Sequence, residues 1–515
     1  WFGFGKGPSG GGGTPYTPPN DPLGHNASGG VISEYTTPPG AVYRSHTFNQ
    51  PGTFVVSALS ESYPAHVEYV LVGGGGSGGG DRGGGGGGGG VRTNSPACEI
   101  GGPSSSKDPA TNAPISTTSY GITVQWGGIS GSYPQPANPT KTGDGTPANP
   151  GKPLGGSVPH TSAFGASVSG GGGAGNGGGG GPQGTAGKAM PGPLGGSAGG
   201  SVWPNWPSTS GGPYGWKGGE GDPGGALGAG GGGGATKEGD KGQSNSEGGE
   251  GGDGAECTMQ GPNCEIELGA GGGGGDNGAQ GGYGGSPTPL YPAGWGGAGF
   301  PDTLQTPQPM VPNATCYSGV SGSGGGGGGA NNNAPVMNGG YGASGVCIVR
   351  YQIQASNKVK FATKATGGQV SYYNGKIIHT FLYNATFTTT DTITDAEVFI
   401  IGGGGGGAGG NGGSGGGGSG GAAKLTGVTF GSPAPFSITV GRGGRGGACE
   451  NMYGGDGQDS TITGPGPALT ATITGKGGGG GAGWNQTDAQ GRTGGCGGGS
   501  ALASPNDGSG DTGGS

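Results

Sequence analysis

Unbroken glycine runs, at 83–90, 271–275, 324–329 and 402–407, restrict the folds open to this chain more than any other feature. A run of this kind has no side chain to bury. Gly accounts for 153 of 515 residues and Pro for 41, while 28% of the chain is hydrophobic and 10% charged. An ordinary domain is about 45–50% apolar and about 7% Gly. Burial at roughly 25 cal/mol per Å² has to offset an ordering entropy that is largest for Gly. The core must therefore be thin, or made of something other than side chains.

Collagen does not fit, because its triple helix needs Gly at every third position with Pro-rich neighbours. A disordered linker is the usual fate of Gly/Ser-rich tracts. The third option is an ordered scaffold. A polyproline-II-type helix has three residues per turn, rises about 3.1 Å per residue and points its N–H and C=O groups outward. If every residue is Gly, neighbouring helices can approach closely enough to bond through those groups. Backbone pairing then replaces the hydrophobic core and leaves few buried polar groups orphaned.

Self-similarity survives in the residues between the runs. His46-Thr47-Phe48 and Thr53-Phe54 recur as His379-Thr380-Phe381 and Thr386-Phe387, an offset of 333. Glu68–Val72 before Gly73 recurs as Glu397–Ile401 before Gly402, now offset by 329, as a four-residue loop deletion would produce. Ile122-Thr123-Val124 recurs as Ile438-Thr439-Val440. These landmarks are short, β-branched or aromatic, and bounded by Gly, Pro, Asn or Asp, which predicts strands. Thr53–Ser57 and Thr386–Thr392 are expected as first strands. Val67–Val72 and Glu397–Ile401 are nearly continuous in apolar residues, as in a strand covered on both faces. The expected fold is mostly irregular and all-β: short sheets anchor packed polyglycine-II helices in two tandem modules with almost no α-helix. The expected division is an N-terminal extension at 1–40, a complete module at 41–353 and a second module at 354–515.

The strand that ends in glycine (Val67–Gly76), Ile122–Gly128, the repeated glycine islands and the closing Gly342–Tyr351 together resemble the glycine-rich modules of bacteriophage tail fibres and adhesins. Similar modules occur in other extracellular fibre proteins. The resemblance covers 41–353 fully and 376–515 in part. It implies packed polyglycine-II helices carrying variable loops that touch a host receptor.

Little in the sequence points to catalysis. His46 and His379 occupy equivalent repeat positions and are read as structural. GxGxxG matches carry no weight without a βαβ unit and an acid about 20 residues on. Asp222, Asp240, Glu247, Glu250, Asp253 and Asp276 are read as solvated loop charges, since no calcium repeat is reproduced in series. No enzyme, cofactor or metal is expected. A net charge of −8 without a Lys/Arg block speaks against nucleic acid, and no apolar stretch is long enough for a membrane span. The seven cysteines form no CxxC motif. Cys257 with Cys264, Cys316 with Cys347, and Cys449 with Cys496 can form disulfides, which leaves Cys98 over. Sequons at Asn26, Asn313, Asn384 and Asn485 permit N-glycosylation. The candidate contact residues are aromatic: Trp203, Trp206, Tyr214, Trp216, Tyr291 and Trp295, together with Trp1, Phe2 and Phe4. A bland alternative makes the loop aromatics lids over the bundle ends.

Nothing like Val346–Tyr351 closes the second copy before Ser515, so its sheet is expected to have an open edge. Trp1–Gly7 belongs to neither module. The chain begins without Met, consistent with a removed leader or a longer parent. Because unpaired edges recruit strands, the N-terminal segment of one subunit is expected to complete the second module of its neighbour. That arrangement gives a head-to-tail filament outside the cell or on a virion, with copies of itself or other fibre proteins as partners. The alternative is a receptor-binding adhesin that recognises a cell-surface receptor or glycan.

Overall fold

The computed structural model describes residues 2–4, 24–37, 41–79, 83–103, 107–128, 160–174, 196–201, 211–222, 228–243, 247–261, 266–275, 284–285, 323–329, 340–354, 364–373, 376–381, 384–408, 414–444, 453–466, 468–469, 471–483 and 490–501. Among these there is no helix of the hydrogen-bonded α type. The chain is built from small antiparallel sheets and extended glycine runs, as the composition demands. The strands are β1 (Phe2–Phe4), β2 (Asn26–Ser28), β3 (Val31–Thr37), β4 (Ala41–Phe48), β5 (Gly52–Ala58), β6 (Glu68–Val72), β7 (Val91–Thr93), β8 (Ser119–Ile122), β9 (Thr161–Ala163), β10 (Ala166–Val168), β11 (Ala255–Cys257), β12 (Ile266–Leu268) and β13 (Val346–Gln354). The remainder are β14 (Ala365–Thr366), β15 (Gln369–Tyr373), β16 (Lys376–Thr380), β17 (Ala385–Thr389), β18 (Ile393–Ile401), β19 (Ala422–Phe430), β20 (Ala434–Thr439), β21 (Ser460–Thr463) and β22 (Ile473–Gly475).

The chain divides into two compact units. One, here the first module, comprises Pro22–Ile32 and Val42–Gln354; the other, the second module, comprises Trp1–Asp21, Ser33–Ala41 and Ala355–Ser515. Residues 26–37, which the sequence reading placed in an extension, supply β2 and β3. Accordingly β5 and β17 are not first strands, since β2–β4 and β14–β16 precede them.

In the first module β4, β13, β6 and β7 are bonded in that order in one sheet, and a smaller sheet has the order β2–β5–β8. Phe54, Val56, Tyr69, Leu71, Val349 and Tyr351 pack between them, all at most 3% exposed. The second module repeats the plan. Phe387 pairs opposite Phe436 across β17 and β20, and both rings pack on Phe430 beneath β18.

The two histidines are part of this plan. His46 Nδ1 lies 2.8 Å from the Gly29 carbonyl and His379 Nδ1 lies 2.7 Å from that of Gly367. A carbonyl only accepts, so Nδ1 carries the proton in each case. Nε2 of His46 is then the acceptor for the Tyr351 hydroxyl at 3.1 Å. Burial lowers both pKa values, that of His46 to about 4. Gly29 and Gly367 have φ of 108° and 109°, and a Cβ on either would sit 2.0 or 2.2 Å from the Thr53 or Thr386 carbonyl oxygen. Only glycine fits there.

Beyond β6 the glycine runs form a lattice. Gly73, Gly76 and Gly79 donate to Gly90, Gly87 and Gly84 of the neighbouring run. The step of three residues is the period of the polyproline-II-type helix. The run 83–90 is enclosed on all sides. It donates to Gly230 and Gly233, to Gly327 and Gly324, and to Gly172 and Ser169, and it accepts from Gly76, from Ser197 and Gly200, and from Gly272 and Gly275. The run 228–234 is enclosed in the same way. A Cβ at Gly85 would lie 1.8 Å from the Gly272 carbonyl oxygen, and one at Gly232 would lie 2.0 Å from that of Gly86. Asp240 and Glu250 are joined backbone to backbone and the Asp240 side chain is solvated, whereas Asp222, expected as a solvated loop charge, is buried because its backbone amide is bonded into the run at Gly228.

Candidate strand-insertion site

The second module's main sheet has the order β15–β16–β1–β18–β19. Its middle strand is the chain's own N-terminal segment. Phe2 lies opposite His379 and Val398, Gly3 opposite Ile378 and Glu397, and Phe4 opposite Ala396. In the first module the closing strand β13 occupies the same place: Val349 lies opposite His46 and Tyr69, and Arg350 opposite Ser45 and Glu68. With the repeat offsets of 333 and 329, Phe2-Gly3-Phe4 stands for Val349-Arg350-Tyr351 residue by residue. The open edge expected of the second copy is therefore closed, and the donor is β1 of the same chain.

The charges around the inserted strand are arranged differently in the two modules. In the first, Arg350 on the inserted strand binds Glu68 through Nη2 at 2.7 Å and Nε at 2.8 Å, and its guanidinium lies 4.6 Å over the Tyr43 ring. In the second, the position of Tyr43 is Lys376 and that of Arg350 is Gly3. Lys376 on β16 pairs with Glu397 on β18 across the strand between them. Its ammonium holds the Glu397 carboxyl below the usual range. None of these residues stands out in isolation; reading positions 43, 68 and 350 against 376, 397 and 3 would have found them.

The outer faces of the two sheets also differ. Val70 and Val72 are fully buried with Cys257, Met259 and Leu268 of the β11–β12 region. Their equivalents Phe399 and Ile401 are 38% and 52% exposed. Coverage on both faces therefore holds for β6 and fails for β18, because among the described residues the second module has no counterpart of that hairpin.

The disulfide pattern also departs from expectation. Cys257 is bonded to Cys98 and not to Cys264, pinning the hairpin to the segment after β7. Cys347, within β13, and Cys496 are free thiols, so the pairings with Cys316 and Cys449 do not form. The Cys257–Cys264 reading rested on their nearness in sequence, whereas the partner is 159 residues away.

Among the aromatic candidates, Tyr214 packs against the first core with Arg92 5.4 Å over its ring. Trp216 lines an open groove of about 490 Å³ together with Lys217, Glu220, Glu238 and Lys241. The groove's charges are paired with each other, Lys241 with Glu220 at 2.6 Å and Lys217 with Glu238 at 3.2 Å. The Trp216 indole N–H is buried without a partner among the described residues. Trp126 and Tyr341, neither of them singled out by sequence, are 56% and 54% exposed on adjacent runs joined by the bonds from Gly342 to Gly128 and from Gly345 to Gln125. Asn26 is exposed in β2, and Asn384 Oδ1 accepts from the Val440 amide. Trp1, Trp203, Trp206, Tyr291, Trp295, Asp276, Cys264, Cys316, Cys449, Asn313 and Asn485 lie outside the described residues.

Residues 380–515 match the glycine-rich domain family. No curated protein and no solved structure matches the chain.

Proposed function

We propose that this chain is a structural subunit of a fibre or filament outside the cell or on a virion, assembled head to tail by strand insertion. The observation that carries this reading is β1, a three-residue strand held between β16 and β18 in the register that β13 occupies in the first module. The 21 residues from 5 to 25 separate it from β2. Fully extended, they reach about 70 Å, so one sequence can serve its own sheet or that of a neighbour. Strand addition gives affinity through main-chain bonds, and a heterologous contact that does not close makes a filament. The Cys98–Cys257 disulfide is in keeping with an oxidising location.

A receptor-binding adhesin is the second reading, favoured by the exposed Trp126 and Tyr341 on adjacent glycine runs. Electron microscopy and sedimentation of the full chain and of a variant lacking residues 1–7 separate the two. The filament reading expects concentration-dependent fibres from the full chain and none from the variant. A full chain that stays monomeric after unfolding and refolding at high concentration would overturn it.

A further inference from the structure

We infer that Lys376, Glu397 and Gly3 form a recognition code that decides which strand can enter the second module's sheet; the inference rests on the strand-insertion reading. Glu68 and Glu397 occupy the same repeat position and each faces the inserted strand. Each needs a cation. In the first module the cation arrives with the inserted strand, as Arg350, and rests on Tyr43. In the second it is already present in the receiving sheet, as Lys376, which crosses the strand to reach Glu397. Lys376 stands two residues along β16 from Ile378, which lies opposite Gly3, and the crossing ends on Glu397, which lies opposite Gly3 on the other side; it passes beside the one residue type with no side chain to obstruct it. The two changes, Tyr43 to Lys376 and Arg350 to Gly3, are coupled, because either alone takes away the carboxylate's cation or adds a second one.

The consequence is mutual exclusion. A strand like β13 entering the second module would bring Arg350 beside Lys376, two cations competing for one carboxylate. A strand like β1 entering the first would take the guanidinium away from Glu68 and leave it the Ser95 hydroxyl, with Tyr43 unable to neutralise it. Like-charge juxtaposition and unpaired charges are how interfaces reject wrong partners. Each sheet thus accepts its own strand, and in an assembly the second module takes an N-terminal strand and rejects the closing strand of any first module.

The test is a cycle in the full chain, read by hydrogen exchange of 376–380 and 393–401 and by the second module's melting midpoint. Gly3→Arg is expected to lower that midpoint by roughly 4–8 °C, as is Lys376→Tyr by a smaller amount. The double variant, which rebuilds the first module's trio, is expected to recover at least half of the loss. A double variant no better than the sum of its parts overturns the code. Independently, the variant lacking residues 1–7 is given peptides of residues 1–12, the same peptide with Gly3→Arg, and residues 343–354. The first is expected to protect β16 and β18, and the others to bind about tenfold more weakly. Equal binding of all three overturns the code and leaves insertion standing. Failure of the first peptide to bind overturns insertion and the code together. Should the truncated variant not fold, the full-chain cycle decides alone.

Discussion

In the first module the sheet face bearing Val70 and Val72 lies sealed beneath the β11–β12 hairpin, whereas in the second the matching Phe399 and Ile401 stand 38% and 52% exposed. The glycine lattices differ at their margins, since the second module's run 477–481 is as tightly enclosed as any in the first but some of its neighbouring runs are open. The run 83–90 is enclosed by others, while a Cβ at Gly416 would meet nothing within 4 Å and one at Gly404 would lie 3.7 Å from its nearest neighbour. Repeated strands thus support either a closed bundle with a covering hairpin or a thinner one whose outer face is partly exposed. The sheet plan is shared, and coverage is what diverged.

The largest test of this contrast is alanine in the two lattices. Gly85→Ala puts a methyl carbon 1.8 Å from the Gly272 carbonyl oxygen and is expected to cost about 4 kcal/mol or more of the first module's stability, or to abolish its folding. Gly416→Ala is expected to change the second module's stability by less than about 0.5 kcal/mol. Calorimetry that finds the two substitutions equal breaks the distinction between enclosed and open runs.

Next comes the disulfide, which only the first module has among the described residues. Cys98→Ala is expected to destabilise that module by about 2–4 kcal/mol and to leave the other unmoved, as read by chemical denaturation followed with near-UV signals. If both modules shift, their separation into two compact units does not hold in unfolding.

Acid is expected to act through the histidines. His46 has a folded pKa of about 4 against 6.5 unfolded, so the folded state binds fewer protons between those values. Its contribution is complete above pH 6.5 and is lost as the pH falls through 4, about 3 kcal/mol in all. His46→Gln should reduce that slope in the first module, where His25, also lowered by burial, keeps part of it, and leave it unchanged in the second, where His379 is lowered in the same direction. Unfolding curves from pH 7 to 4 provide the measurement.

The smallest pair addresses the covering hairpin directly. Val70→Ala should cost about 1–2 kcal/mol by leaving a cavity under the hairpin, and Phe399→Ala less than about 0.5 kcal/mol. A large loss at Phe399 would mean that something covers that face in solution.

How far these features could be read in advance depended on their range along the chain. Glycine runs feeding from short apolar strands were legible because strand patterning and the repeat are local signals, and the match of His46 with His379 marked a structural position. The Cys98–Cys257 bond was not legible, since nothing local links residues 159 apart. β2 was hidden because Asn26-Ala27-Ser28 carries little strand signal of its own; pairing with β5 makes it a strand, whereas β3, with Val31, Ile32, Tyr35, Thr36 and Thr37, carries a local strand signal. The exposure of Phe399 and Ile401 contradicts their apolar character, and only the absence of a covering hairpin among the described residues explains it. Gly3 looked like composition. Its meaning came from Lys376 and Glu397 on the strands either side.

The threefold period of the runs has a further consequence. A rotation of 120° with a rise of about 3.1 Å carries a polyglycine helix onto itself, so sliding it by one residue restores every bond except those at its two ends. The lattice therefore holds its helices in place sideways but does not fix their position along the axis. That position is set by the residues that are not glycine, such as β6 and β7 at one end of their runs and Ser77, Ala198 or Asp240 along them. A single-glycine insertion or deletion therefore leaves the bonding inside a run intact and is felt where the run meets the strands that index it.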